Sequence, residues 1–240
     1  MAPLKAASGQ ALLIILFGDK LSTETFQLGI NADLTWSGLS GIGNTELRRS
    51  WSFGAYGEIK LAPHWRLQPE LVIKTAAGAR NLAAGAPGNT FVPVGDPLVD
   101  MAITSGSIVR SQQYLSLPLS LKYVAGRIGV SAGAQVGFLL NAEDQLDSDV
   151  LQGQLRLTET VSDNLNTLDA GLVFGLDYAL APAKQMRSMR INVKYYYGLL
   201  DTIKNNTGTA VRNSILFVGL DIPVGGGSAA ADVTGEGNSR

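Results

Sequence analysis

The chain reads as an all-β protein, an eight-stranded antiparallel up-and-down transmembrane β-barrel. Three observations carry that reading. Segment after segment alternates apolar and polar residues with a period of two, the mark of strands whose side chains point to opposite faces. The polar phase holds charge: Asp33, Glu58, Lys60, Arg66, Glu70, Lys74, Lys122, Asp169, Asp177, Arg190, Lys194 and Asp221 all fall on it. The aromatic residues of the apolar phase gather at segment ends, where a membrane barrel carries rings at the two headgroup levels.

The predicted elements follow in chain order. Run 25–37 puts Phe26, Leu28, Ile30, Leu34 and Trp36 on one face. Run 50–61 opposes Trp51, Phe53, Ile59 and Leu61 to Ser52, Tyr56, Glu58 and Lys60. Run 65–79 opposes Trp65, Leu67, Leu71 and Ile73 to Arg66, Gln68, Glu70 and Lys74. Run 111–124 carries Leu115, Leu117, Leu119, Leu121 and Tyr123 against Ser116, Ser120 and Lys122, and run 127–140 opposes Ile128, Val130, Val136 and Phe138 to glycine, serine and Gln135. Runs 167–180, 188–200 and 212–224 repeat the pattern around Asp169 and Asp177, Arg190 and Lys194, and Asp221. The turns at 62–64, 125–126 and 181–187 are short, whereas 38–49, 80–110, 141–166 and 201–211 read as longer loops. Short turns on one rim and long loops on the other predict a barrel with both termini periplasmic.

No apolar run approaches the ~20 residues of a membrane helix. The longest, 11–18, follows Lys5 in the charge-then-apolar order of a secretory signal, and it reads either as a signal remnant or as a periplasmic lead-in. The domain reading is therefore 1–24 lead-in or signal remnant, 25–224 barrel, and 225–240 a glycine- and serine-rich flexible tail. A net charge of −1 implies no general attraction to nucleic acid, and the absence of cysteine removes disulfides and thiolate chemistry.

Eight strands enclose a space barely wide enough for side chains. The predicted inward phase balances Lys60, Arg66, Lys74, Lys122, Arg190 and Lys194 against Asp33, Glu58, Glu70, Asp169, Asp177 and Asp221. Inward glycines such as Gly29, Gly129 and Gly219 make room for them. Buried charge is tolerable when paired, so the reading is a plugged lumen; a proton or ion path through the same groups is the alternative.

The search for chemistry nominates no catalytic, cofactor-binding or metal residue. His64, the single histidine, falls in a short turn, far from where a rim triad would be built. Glu143, Asp144, Asp147 and Asp149 have oxygen ligands to offer Ca²⁺ or a lipopolysaccharide-bridging ion, but not at EF-hand spacing, and also read as a solvated acidic loop. Loop 80–110 is unusually apolar, with Phe91, Val92, Val94, Leu98, Val99, Met101 and Ile103; it reads as a lid over the mouth or as a partner contact.

The chain resembles the PorT-type outer-membrane β-barrel family of Bacteroidetes. The resemblance runs over roughly 17–224, through Phe17-Gly18-Asp19-Lys20-Leu21, the 26–39 opening, Trp65-Arg66-Leu67-Gln68-Pro69-Glu70-Leu71 and Tyr114-Leu115-Ser116-Leu117-Pro118-Leu119-Ser120-Leu121-Lys122-Tyr123. Segment 133–140, Asp169-Ala170-Gly171-Leu172 and Tyr195-Tyr196-Tyr197-Gly198-Leu199 extend it. It implies an outer-membrane barrel, some of whose relatives assist protein secretion, and it carries over no catalytic residue. One departure is that the last strand ends in Ile222-Pro223-Val224 rather than on an aromatic. The expectation is a non-enzymatic structural or interaction barrel, or a secretion accessory, set in lipid and lipopolysaccharide, with a protein partner possible at loops 80–110 and 141–166 and no nucleic acid. Alternatives are a small outer-membrane transport protein, a lipid-A-modifying rim enzyme and a soluble lipocalin-like carrier.

Overall fold

The computed structural model describes residues 25–149, 155–181 and 188–224, so the 1–24 lead-in and the 225–240 tail lie outside the described residues. Among the described residues there are nine strands: β1 (Phe26–Ser40), β2 (Glu46–Lys60), β3 (Trp65–Leu82), β4 (Ser107–Ala125), β5 (Ile128–Ser148), β6 (Leu155–Thr160), β7 (Leu168–Ala179), β8 (Arg190–Gly198) and β9 (Arg212–Val224). One helix, α1 (Pro97–Ser105), lies between β3 and β4; Asp96 caps it by accepting from the Leu98 and Val99 amides.

Eight of the strands close a ring in the order β1-β2-β3-β4-β5-β7-β8-β9, each antiparallel to its neighbours. The seam pairs β1 with β9, from Leu28 opposite Val224 to Ser40 opposite Arg212. Closure leaves no strand edge in the ring, the condition for crossing hydrocarbon with strands. β6 stands outside the ring as a hairpin partner to the far end of β5, from Ser148 opposite Leu155 to Glu143 opposite Thr160.

The apolar phase faces out. Leu34, Leu119, Phe138, Phe174, Leu176 and Tyr195 are exposed, while the polar phase, including Asp33, Glu58, Lys122 and Asp221, is buried. A lipocalin-like carrier requires the reverse. On β4 the outward apolar stretch runs from Leu115 to Tyr123, nine residues, which matches the roughly 9–11 residues a tilted strand needs to cross hydrocarbon. Beyond it Gln113 and Ser111 face outward, opposite Asn141 and Glu143 of β5. The alternation has inverted, as it must when a strand leaves lipid for water.

That inversion corrects the predicted loops. The strands continue into the segments expected to be loops at 38–49 and 141–166, so the first connector shrinks to 41–45 and, among the described residues of the third, 141–148 belong to β5 and 155–160 to β6. The short turns at 62–64 and 125–126 stand, and 182–187 of the third lie outside the described residues; Gly126, at φ 61°, takes the left-handed conformation that lets β4 fold tightly into β5.

Two charges are also reassigned. Lys60 is exposed at the end of β2 rather than held in the lumen. Lys74 faces outward: β3 carries an extra residue relative to both neighbours between Val72 and Thr75, so Lys74 shares a face with outward Phe53, and its Nζ lies 3.9 Å from the centre of the Trp51 ring. The other ten charges of the predicted inward phase do point inward.

Leu119 lies midway along the apolar stretch of β4 and Gln113 just beyond it. Leu119→Arg is expected to destabilise the barrel by ~2–4 kcal/mol and Gln113→Arg by less than ~1 kcal/mol. Urea unfolding in lipid vesicles reads the difference; equal costs would contradict the placement of the band.

Candidate functional site: a lumen closed at two levels

Seven of the eight ring strands contribute to a charge network at the short-turn half of the lumen. Its centre is Glu58 on β2, which accepts from the guanidinium groups of Arg66 (β3) and Arg190 (β8). Lys122 on β4 lies 3.9 Å from Glu58 Oε2 and 2.9 Å from Asp177 Oδ2 on β7. Arg190 Nε lies 3.5 Å from the other Asp177 oxygen. Adjacent to this, Lys194 Nζ is 2.9 Å from Glu70 Oε2 and 3.7 Å from Asp33 Oδ2. Asn31 and Gln68 donate to the Glu70 oxygens at 2.8 and 2.9 Å, and Asn192 donates to Asp221 at 2.8 Å. The Glu58 side chain is 0 % exposed. An isolated charge there would be prohibitive; three cations around one carboxylate make it tolerable.

Inward glycines shape this packing. Gly29 lies opposite Tyr56, and a side chain at Gly29 would run into the Tyr56 ring; one at Gly129 would meet the Asp177 carboxylate. The predicted role of these glycines is therefore met at both positions.

Above the charges the interior turns aromatic and then apolar. Tyr114, Tyr196, Phe217, Ile215 and Ala77 form one cluster, edged by Asp169, which accepts from Asn213 at 2.8 Å. Further up, Leu39, Leu82, Phe91, Ile103, Leu146 and Leu165 belong to a larger core that fills the long-loop mouth. Phe91 and Ile103 come from the 80–110 segment, so the lid reading holds for them. Val92, Val94, Leu98, Val99 and Met101 of the same segment stay exposed.

Within the lid is an ion pair that sequence reasoning missed. Arg110 of β4 donates through Nε and Nη2 to the two oxygens of Asp144 on β5, at 2.8 and 2.7 Å, and through Nη1 to the Pro87 carbonyl at 2.8 Å. Both side chains are 0 % exposed. The pair thus ties the loop after β3 to the barrel wall. The sequence places Asp144 beside Glu143, Asp147 and Asp149, but alternation along β5 separates them: Asp144 points in, while Glu143 and Asp147 lie on the opposite phase. Asp147 meets Arg156 of β6 at 2.7 Å on the surface, and that hydrogen bond holds its carboxyl below the usual range. The four acids do not converge. His64 remains a turn residue at the opposite end, its Nδ1 3.0 Å from the Val124 carbonyl.

Two predictions follow from burial. Glu58→Gln leaves Arg66, Arg190 and Lys122 short of counter-charge and is expected to cost ~3–5 kcal/mol. Arg110→Met alone should cost about as much, because it strands Asp144, whereas the double variant Arg110→Met, Asp144→Leu should recover most of the loss. A urea double-mutant cycle on the folded barrel checks both; additive losses at 110 and 144 would show that the two groups do not act as a pair.

Residues 24–204 match the family model described as "Outer membrane protein beta-barrel domain". No curated protein matches the chain. Among solved structures, Ail, the attachment invasion locus protein of Yersinia pestis, is 10% identical over 84% of this chain and 99% of its own, with a TM-score of 0.39. Neisserial surface protein A is 14% identical over 82% and 96%, with a TM-score of 0.37. OprG from Pseudomonas aeruginosa is 9% identical over 85% and 99%, with a TM-score of 0.38.

Proposed function

The chain belongs to the outer membrane protein β-barrel family, and from that premise we propose a closed, non-conducting barrel of the bacterial outer membrane that works through its long-loop end. The observation that carries this reading is the double closure. A charge network spans one half of the lumen and an apolar lid, latched by Arg110 and Asp144, fills the other. A transport role requires an open path, and paired charge at one level with packed apolar side chains at the other speaks against one.

In this reading the long-loop end faces outside the cell and both termini are periplasmic, the arrangement in which short turns lie on the periplasmic side. The barrel performs no chemistry: His64 lies at the short-turn end, away from the rim where lipid A would be modified. Its working surface is the exposed part of the lid, Val92, Val94, Leu98, Val99 and Met101, with Leu155 and Leu157 of β6 nearby on the same end. Apolar side chains displayed to water on a rim suit contact with a protein. On the sequence blocks 67–71 and 114–123, that protein would belong to a PorT-type secretion system.

Reconstituted into planar bilayers, the chain is expected to give no steady single-channel steps, and reproducible open levels would overturn the closed-lumen reading. A photo-reactive residue at Leu98 should crosslink to a discrete protein in intact cells, while one at Leu119 should capture lipid only. Crosslinks to lipid alone at both positions would remove the interaction role.

A further inference from the structure

The outward face of β9, β1 and β2 combines a small side chain in the lipid-facing band with cations beside it. Here Ala32 stands between Phe53 of β2 and Leu220 of β9, with Leu34 above it between Trp51 and Val218. The small side chain leaves an apolar groove of about 490 Å³ lined by Ala32, Leu34, Trp51, Phe53, Val218 and Leu220. A second, of about 560 Å³, continues upward from Val218 beside Trp36, Leu216 and Tyr195.

Cations rim the upper end of this trough. Lys74, turned outward by the β3 bulge, lies over the Trp51 ring at 3.9 Å. Arg49 is exposed and paired in register with Trp36. Among the described residues neither Lys74 nor Arg49 forms an ion pair. By contrast, every basic residue of the lumen network has a carboxylate partner. Tryptophan favours the headgroup level, so Arg49 beside Trp36 and the Lys74 ammonium carried over Trp51 flank an acyl-sized groove within reach of lipid phosphates.

We infer that this face is a docking site for a phosphate-bearing lipid of the outer leaflet, with an acyl chain in the Ala32 groove and a phosphate held by Lys74 and Arg49. The inference rests on the membrane placement given above and deepens it. Three features converge on one occupant. The surface is continuous with the lipid-facing band, the groove is apolar, and the unpaired positive charge complements an anionic headgroup. A protein partner would have to displace lipid from the band to reach the groove.

Native mass spectrometry of the full chain in non-ionic detergent tests the site, with diphosphoryl lipid A and its dephosphorylated form as probes. The wild type is expected to retain the diphosphoryl lipid preferentially. Lys74→Gln and Arg49→Gln should each weaken retention roughly fivefold, and the double variant should erase the preference. Arg156→Gln, on the opposite side of the barrel, should change nothing. Heat-modifiable gel migration confirms that each variant is folded. Equal retention of both lipids, or undiminished retention by the double variant, would overturn the site while leaving the barrel in the membrane. Folding of the chain without detergent would instead overturn the membrane placement beneath it.

Discussion

The seam between β1 and β9 is the constraint on which everything else depends. In hydrocarbon an unpaired strand edge leaves a row of backbone donors and acceptors with no water to satisfy them. The pairing from Leu28–Val224 to Ser40–Arg212 removes that row by closing the sheet on itself. Once closed, the two faces of each strand live in different media. The leucine-rich face meets lipid and needs nothing more. The inward face is sealed in a narrow space and must satisfy its own polar groups, because eight strands leave little room for bulk solvent.

How the interior meets that demand changes with height. At the short-turn half, carboxylates and cations from seven strands neutralise one another around Glu58 and Lys194. At the long-loop half the wall has left the membrane, and the logic becomes that of a soluble protein: Glu143 and Asp147 lie toward water while Leu146 and Ile108 are buried in a core. Arg110 and Asp144 belong to neither solution by composition. They are a bidentate pair inside an apolar core, and their third contact, to the Pro87 carbonyl, is what couples lid to wall. On the reading proposed above, a barrel filled at both levels works through its rims and its lipid-facing surface.

The parts legible in the sequence were those where medium and phase stay constant along a strand. The Leu115–Tyr123 and Trp51–Leu61 alternations identify strands and their lipid face without reference to any partner, and Arg66, Lys122, Arg190 and Lys194 fall inward as their phase requires. The lid was half legible: an apolar loop must cover or be covered, but periodicity does not say that Phe91 is buried and Val94 is not. The upper strand ends were illegible for a physical reason. There the apolar phase moves to the inside and the outer phase becomes Ser111, Gln113, Asn141 and Glu143, so a single fixed alternation breaks off and reads as loop.

Two one-residue bulges account for most of the remaining difference. In β5 the register slips at Leu140: Tyr114 faces Leu139, but Gln113 faces Asn141. Without that slip Asn141, Glu143, Gln145 and Asp147 would take the inward positions; with it Ala142, Asp144 and Leu146 do, and Asp144 reaches Arg110. In β3 the extra residue between Val72 and Thr75 turns Thr75, Ala77 and Ala79 inward and Lys74 outward. A period-two pattern moves every later side chain to the other face when one residue is added. Both slips lie near the level where hydrocarbon gives way to water. There an exchange of faces carries the least penalty, and in this chain it sets which groups latch the lid and which cation faces the lipid.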